Sequence, residues 1–126
     1  MTRASGFWHD GGAVEFTFSD EQEELRRAVR GRLARVPPPE WGEMVDLGWV
    51  SLLVPKEHGG GGGGLVDTVP VLEEVGRALL PGPFVSSAVF ATIAARRLGL
   101  AGHLASLAAG ATRGTIAVDE RGHGDP

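Results

Sequence analysis

Apolar residues recur every three or four positions through most of this chain, which is the period of helices with one buried face. The first run is Leu25, Ala28, Val29, Leu33 and Val36, with acids and arginines between. Ser19 and Gln22 stand three apart at its start and predict a capping box. Asp20, Glu21, Glu23 and Glu24 precede Arg26, Arg27, Arg30, Arg32 and Arg35, an order that suits the helix dipole. Glu23 and Arg27 fall at i,i+4 spacing. The arginines read as a solvated helix face, since the neighbouring acids cancel their charge. Pro37–Pro39 stop this helix.

A second helix is predicted over Glu40–Leu47, with Trp41, Met44 and Val45 inward and Gly48 as the residue past its end. Trp49, Leu52, Leu53 and Val54 read as an extended connector ending at Pro55. A third helix, Thr68–Leu79, carries Val69, Leu72, Val75 and Leu79, with Asp67 as its cap and Pro70 in its first turn. Gly76 inside it reads as a place where another helix comes close. The rigid corner Leu80–Phe84 leads to a fourth helix over about Phe84–Leu98, with Val85, Ala88, Val89, Thr92 and Ile93 on one side. Gly99 ends it. A fifth runs over about Ala101–Ala109 and ends at Gly110. Only Thr115–Val118, β-branched and apolar, reads as a strand. A lone strand has nothing to pair with, so the chain is expected to be the N-terminal part of a longer protein. The fold class is all-α, a helical bundle with the first strand of a β-domain at its C-terminal end. The expected division is a mobile arm over residues 1–15, a helical domain over 16–112 and the start of a β-domain over 113–126.

The 126 residues are 42% hydrophobic, enough for one core, and carry a net charge of −4. That balance gives no broad nucleic-acid footprint. Without cysteine there is no disulfide, thiolate zinc site or cysteine nucleophile. No signal segment is evident, and the apolar stretch Phe84–Ala95 is too short to span a bilayer. A soluble, cytoplasmic protein without membrane or metal is expected.

The six glycines Gly59–Gly64 raise the question of a phosphate cradle. A P-loop needs Lys and Ser/Thr at the following helix start, whereas Leu65, Val66 and Asp67 follow here. A flexible helix-to-helix connection is favoured. His9, His58, His103 and His123 lack metal-ligand spacing. No catalytic residue is nominated from the residues themselves.

The segments "FTFSDEQEELRRAVRGRLA", "DLGWVSLLVPKEHGG", "VLEEVGRALLPGPF" and "TIAVDE", in that order, resemble the N-terminal region of the acyl-CoA dehydrogenase family over about residues 16–120. The resemblance implies a flavoenzyme of three domains: helical, β, and a C-terminal helical bundle. FAD lies between the latter two, partly against a neighbouring subunit. A carboxylate in the C-terminal part removes the α-proton of an acyl-CoA thioester while hydride leaves the β-carbon for the flavin. It implies an acyl pocket partly lined by Phe84, Ser87, Ala88 and Ala91, positions that equally suit plain helix packing. It also implies flavin and thioester contacts at Val118, Asp119 and Glu120. There "VDERGHGDP" stands for the family's Thr-Glu-Pro-like motif, with Asp119 replacing the hydroxyl residue and Arg121 the proline. The catalytic base and most of the FAD site have no counterpart, so the chain alone is expected to hold no FAD and to be inactive. Its implied partners are acyl-CoA and the remainder of the enzyme or a homologous subunit, in a homo- or hetero-oligomer. "GRALLPGPFVSS" is similar to the actinobacterial-type subgroup that takes bulky, steroid-derived or other large acyl groups, some of them built from unlike subunits. The alternative is a non-enzymatic helical subunit that pairs with a flavin-binding partner.

Overall fold

The computed structural model describes residues 17–119, and the arm expected over residues 1–15 lies outside them. Five α-helices follow in order: α1 (Asp20–Leu33), α2 (Trp41–Asp46), α3 (Leu65–Arg77), α4 (Thr92–Arg97) and α5 (Ala101–Ala108). A 3₁₀ turn, Lys56–His58, lies between α2 and α3, and a π-helical stretch, Val85–Ala91, runs straight into α4. The described residues are all-α, with no strand among them. The strand expected at Thr115–Val118 is not formed, because no adjacent strand offers it a ladder.

Helix α1 begins as its sequence dictates. The Gln22 amide donates to Ser19 Oγ at 3.2 Å and the Ser19 amide donates to Gln22 Oε1 at 2.9 Å. Its apolar face is narrower than the periodicity predicts. Val29 is buried and Leu25 and Leu33 pack beside it, but Ala28 is exposed and Val36, past the helix end, is 93% exposed. The arginines are not a plain solvated face. Arg26 and Arg30 cross to Glu73 and Glu74 on α3, and Arg32 crosses to Glu43 on α2. Glu23 pairs with Arg26 at 3.5 Å, whereas Arg27 donates to the Glu23 carbonyl.

The chain leaves α2 through Leu47 and Gly48, and the Gly48 φ of +77° is the left-handed conformation that glycine adopts freely. Residues 49–54 form consecutive turns and not an extended connector, with the Val54 amide donating to the Ser51 carbonyl at 3.1 Å. These turns bury Trp49, Val50, Leu53 and Val54.

The glycine run is not a loose linker. Gly60 donates to Pro55 O, Gly61 to Ser51 O, Gly62 to Val54 O and Gly63 to Leu52 O, all at 2.9–3.1 Å. Gly59 donates to Lys56 O and Gly64 to Asp67 Oδ2. The loop therefore lies flat on the turns before it.

Helix α3 starts at Leu65, three residues earlier than its pattern predicts. Gly64 is the cap, and Asp67 serves from the third helical position by accepting the Gly64 amide at 2.8 Å. That hydrogen bond, with a second from Gln22 Nε2, holds the Asp67 carboxyl below its ordinary range. Pro70 consequently sits inside the helix, not in its first turn, and is buried. The carbonyl it leaves without a helical partner belongs to Val66, which is 65% exposed and open to water.

Two apolar clusters result. Val29, Met44, Trp49, Val50, Val71, Val75, Phe84 and Ala88 form one, between α1, α2, α3 and the π-helical stretch. Val54, Ala91, Ala95, Leu104, Leu107 and Ala108 form the other, between the 49–54 turns, α4 and α5. Along the fourth helix, Ala88, Val89 and Thr92 are buried as expected, but Val85 is 41% exposed.

Gly76 does not receive a neighbouring helix. It is exposed, and a Cβ placed on it would have open space out to 4 Å. Gly76→Ala is therefore expected to stabilise the isolated chain by about 0.5–1 kcal/mol, through helix propensity and the unfolded state. Thermal unfolding reads this as a raised midpoint. A lowered one would place a neighbour against this position.

Candidate functional site

The positions assigned to an acyl pocket lie on the π-helical stretch and its entry. Pro81, Gly82 and Pro83 set the corner, with Gly82 at φ +109°. Phe84 is 1% exposed and belongs to the first cluster. Ser87 is fully buried, Ala88 is 3% exposed, and neither is among the residues that line a cleft. Only Ala91 reaches one. It lines a cleft of about 530 Å3 together with Ala94, Ala95, Leu98, Leu100, His103 and Leu107 from the helices. Residues Thr112 and Gly114–Ala117 close its other side.

The structure thus separates the four positions by role. Phe84 and Ala88 are core, Ser87 is a buried hydrogen-bonding group and Ala91 is a cleft wall. Sequence reading missed Ala94, Ala95 and Leu107 as lining residues. The spacing Ala91, Ala94, Ala95 was the available signal, since small residues at i, i+3 and i+4 leave room along one helix face. The rim is apolar and open. Leu98 is 70% exposed, Leu100 40% and Ile116 45%.

Val118 is 78% exposed and Asp119 is exposed, beyond the cleft, while Glu120 lies outside the described residues. A flavin dinucleotide needs donors for its pyrophosphate. The amides of Gly59–Gly64 are all engaged within the chain, and Asp119 brings a carboxylate and not a donor. The glycine run thus offers no free amide to a pyrophosphate. The described residues include no group of three or more His, Asp or Glu side chains that could hold a metal ion. No described helix is long and apolar enough to cross a membrane.

The charged groups concentrate elsewhere, on the α1–α3 seam. Glu74 is 2% exposed and accepts from Arg30 Nε at 3.0 Å and Nη2 at 2.7 Å, from Arg77 Nε at 3.1 Å and from Arg26 Nε at 3.3 Å. Hydrogen bonding from Arg30, followed by that from Arg77 and Arg26, overcomes the opposing effect of burial and lowers its carboxyl from 4.5 to about 2. A carboxylate held ionised by three arginines is a structural anion and a poor proton acceptor.

Among the described residues, the helical body carries an apolar cleft beside α5, and the chain leaves along that cleft. The chain belongs to the acyl-CoA dehydrogenase family: the family model for the acyl-CoA dehydrogenase N-terminal domain matches residues 19–101. It is 34% identical over 115 residues to the acyl-CoA dehydrogenase IpdE2 of Mycolicibacterium smegmatis, covering 78% of this chain and 37% of that protein. It is 39% identical over 76 residues to IpdE2 of Mycobacterium tuberculosis, covering 59% and 24%. Acyl-CoA dehydrogenase FadE34 of the same organism is 33% identical over 97 residues, covering 58% and 14%. The chain thus spans little more than a third of the length of the first of these relatives and less of the others. No solved structure matches the chain.

Proposed function

We propose that residues 16–112 are the helical domain of an FAD-dependent acyl-CoA dehydrogenase, and that residues 113–126 open its β-domain. In this reading the enzyme forms a double bond between the α- and β-carbons of an acyl-CoA thioester. The proton acceptor and most of the flavin site come from polypeptide outside these 126 residues, so this chain alone is inactive. The observation that carries the reading is the family match over residues 19–101. FAD, when bound, supplies the hydride acceptor for this reaction.

The chain's own part is to present an apolar wall that excludes water from the acyl group. Ala91, Ala94 and Ala95 support this, because small side chains beside a cleft of about 530 Å3 leave room for a bulky acyl thioester. Val118 and Asp119 would then stand on the flavin side.

The test begins with the purified chain. It is expected to be colourless, with no flavin absorbance and no acyl-CoA-dependent dye reduction. Co-expression with a polypeptide carrying the remaining acyl-CoA dehydrogenase domains is expected to give both. A yellow, active isolated chain would overturn the division of labour. Flavin binding only after mixing with a separately encoded subunit would favour the reading of an interaction subunit.

A further inference from the structure

We propose that Ser87 is a positioning residue: its buried hydroxyl latches the backbone at Gly114 and thereby sets the wall of the cleft. The argument starts from the helix. Over Val85–Ala91 the chain is wound as a π-helix, a rare form that persists where a local interaction supports it. Here Thr92 Oγ1 donates to the Ser87 carbonyl at 3.0 Å, in a fully buried bond. The Ser87 hydroxyl faces away from its own helix, and Ser87 Oγ accepts the Gly114 amide at 3.0 Å.

The approach at Gly114 is close. A Cβ placed there would lie 2.4 Å from Ala91 Cβ and 3.3 Å from Leu107 Cδ2. Glycine at 114 and alanine at 91 therefore let the segment press onto the helix. Upstream, Trp41 Nε1 donates to the Gly110 carbonyl at 3.2 Å, and the Arg113 guanidinium lies over the Trp41 ring at 5.3 Å. Downstream, residues 115–118 make no hydrogen bond to another described residue, so Gly114 is the last such tie before the cleft wall of Thr115–Ala117.

The latch is local and stands on geometry alone. Its functional consequence rests on the proposed function: Val118 and Asp119 follow within five residues, a reach of at most about 18 Å. Fixing Gly114 fixes the point from which that flavin-side segment departs.

Amide hydrogen exchange on the whole chain tests the latch without acyl-CoA or flavin, so its outcome is independent of the flavin experiment. In Ser87→Ala, exchange at Gly114 is expected to quicken by roughly 3- to 10-fold, the range for losing one net hydrogen bond, while the amides of α1 and α3 keep their protection. Ser87→Cys, close in size and a weaker acceptor, is expected to fall between the two. Unchanged protection at Gly114 in the alanine variant would overturn the proposal. So would an equal loss in α1 and α3, which would make Ser87 a general core residue. If the alanine variant does not fold, the cysteine variant carries the same reading, and failure of both to fold would likewise place Ser87 among core packing groups.

Discussion

Gly60→Ala is expected to destabilise the chain by more than about 3 kcal/mol, a large part of the ~5–15 kcal/mol that holds a domain together. A Cβ at this position would lie 2.0 Å from the Val54 carbonyl oxygen and 2.4 Å from Val54 Cβ. Neither atom can swing away. Val54 is fully buried in the second apolar cluster, and its carbonyl accepts the Gly62 amide at 2.9 Å. Relief requires lifting the loop, which breaks that bond and the neighbouring bonds from Gly61 and Gly63. Gly61→Ala is the internal control. Its Cβ would meet Leu52 atoms at 3.4–3.8 Å, ordinary contact distances, and the cost is expected to stay below about 1 kcal/mol. Urea unfolding followed by circular dichroism measures both. Equal midpoints for the two variants would mean that the loop does not pack on Val54.

The same loop shows what the pattern of residues could and could not convey. Six glycines in a row have no side chains, so no periodicity reports that the amides of Gly59–Gly63 are answered by the carbonyls of residues 51–56 and that of Gly64 by the Asp67 carboxylate. For the same reason the start of α3 was hidden. A glycine cap looks like more loop, and Asp67 reads as a cap when it is in fact the acid that answers the cap's amide. Signals contained within one turn were legible: the Ser19–Gln22 box, and the glycine stops at Gly48, Gly99 and Gly110, all with positive φ. Signals that need a distant partner were not. Arg26 and Arg30 meet Glu74 across more than forty residues, and only the tertiary fold shows that they bridge two helices.

The candidate site divides along the same line. The family resemblance implies Phe84, Ser87, Ala88 and Ala91 together as pocket positions, and of these Ala91 lines the cleft. Phe84 and Ala88 share its stretch of chain but turn into the core. The cleft itself is built by α4, α5 and residues 112–117 just beyond them. No single periodic run contains all three. Family membership was legible for a different reason: several short segments occur in a fixed order, and the family match spans residues 19–101. The Ser87–Gly114 bond, by contrast, joins an ordinary helical serine to an ordinary glycine, and nothing in either neighbourhood marks the pair.

Removing the Glu74 carboxylate is the second large effect expected. Glu74→Ala is expected to cost about 2–3 kcal/mol at neutral pH, the scale of charge-assisted hydrogen bonds lost from a buried group. The three arginines moderate this cost. Arg26, Arg30 and Arg77 retain 28%, 50% and 63% of their side-chain exposure, so solvent screens them and none is left as a buried unpaired charge. The pH dependence carries a definite sign. The Glu74 carboxyl titrates at about 2 in the folded chain against an ordinary 4.5, mainly because Arg30 hydrogen-bonds the ionised form. The folded state thus binds this proton less readily than the unfolded state. The contribution is complete above about pH 4.5 and is lost as pH falls through about 2. Glu74→Gln isolates it. Glu43 and Asp67 are also lowered, by Arg32 and by the Gly64 amide respectively, and they steepen the acid limb of both proteins alike. The difference in unfolding free energy between wild type and Glu74→Gln therefore reports Glu74 alone. It is expected to be constant from pH 7 to about 5 and to shrink steadily toward pH 2. A difference that persists undiminished at the acid end would show that the side chain's shape, and not its charge, joins α1 to α3.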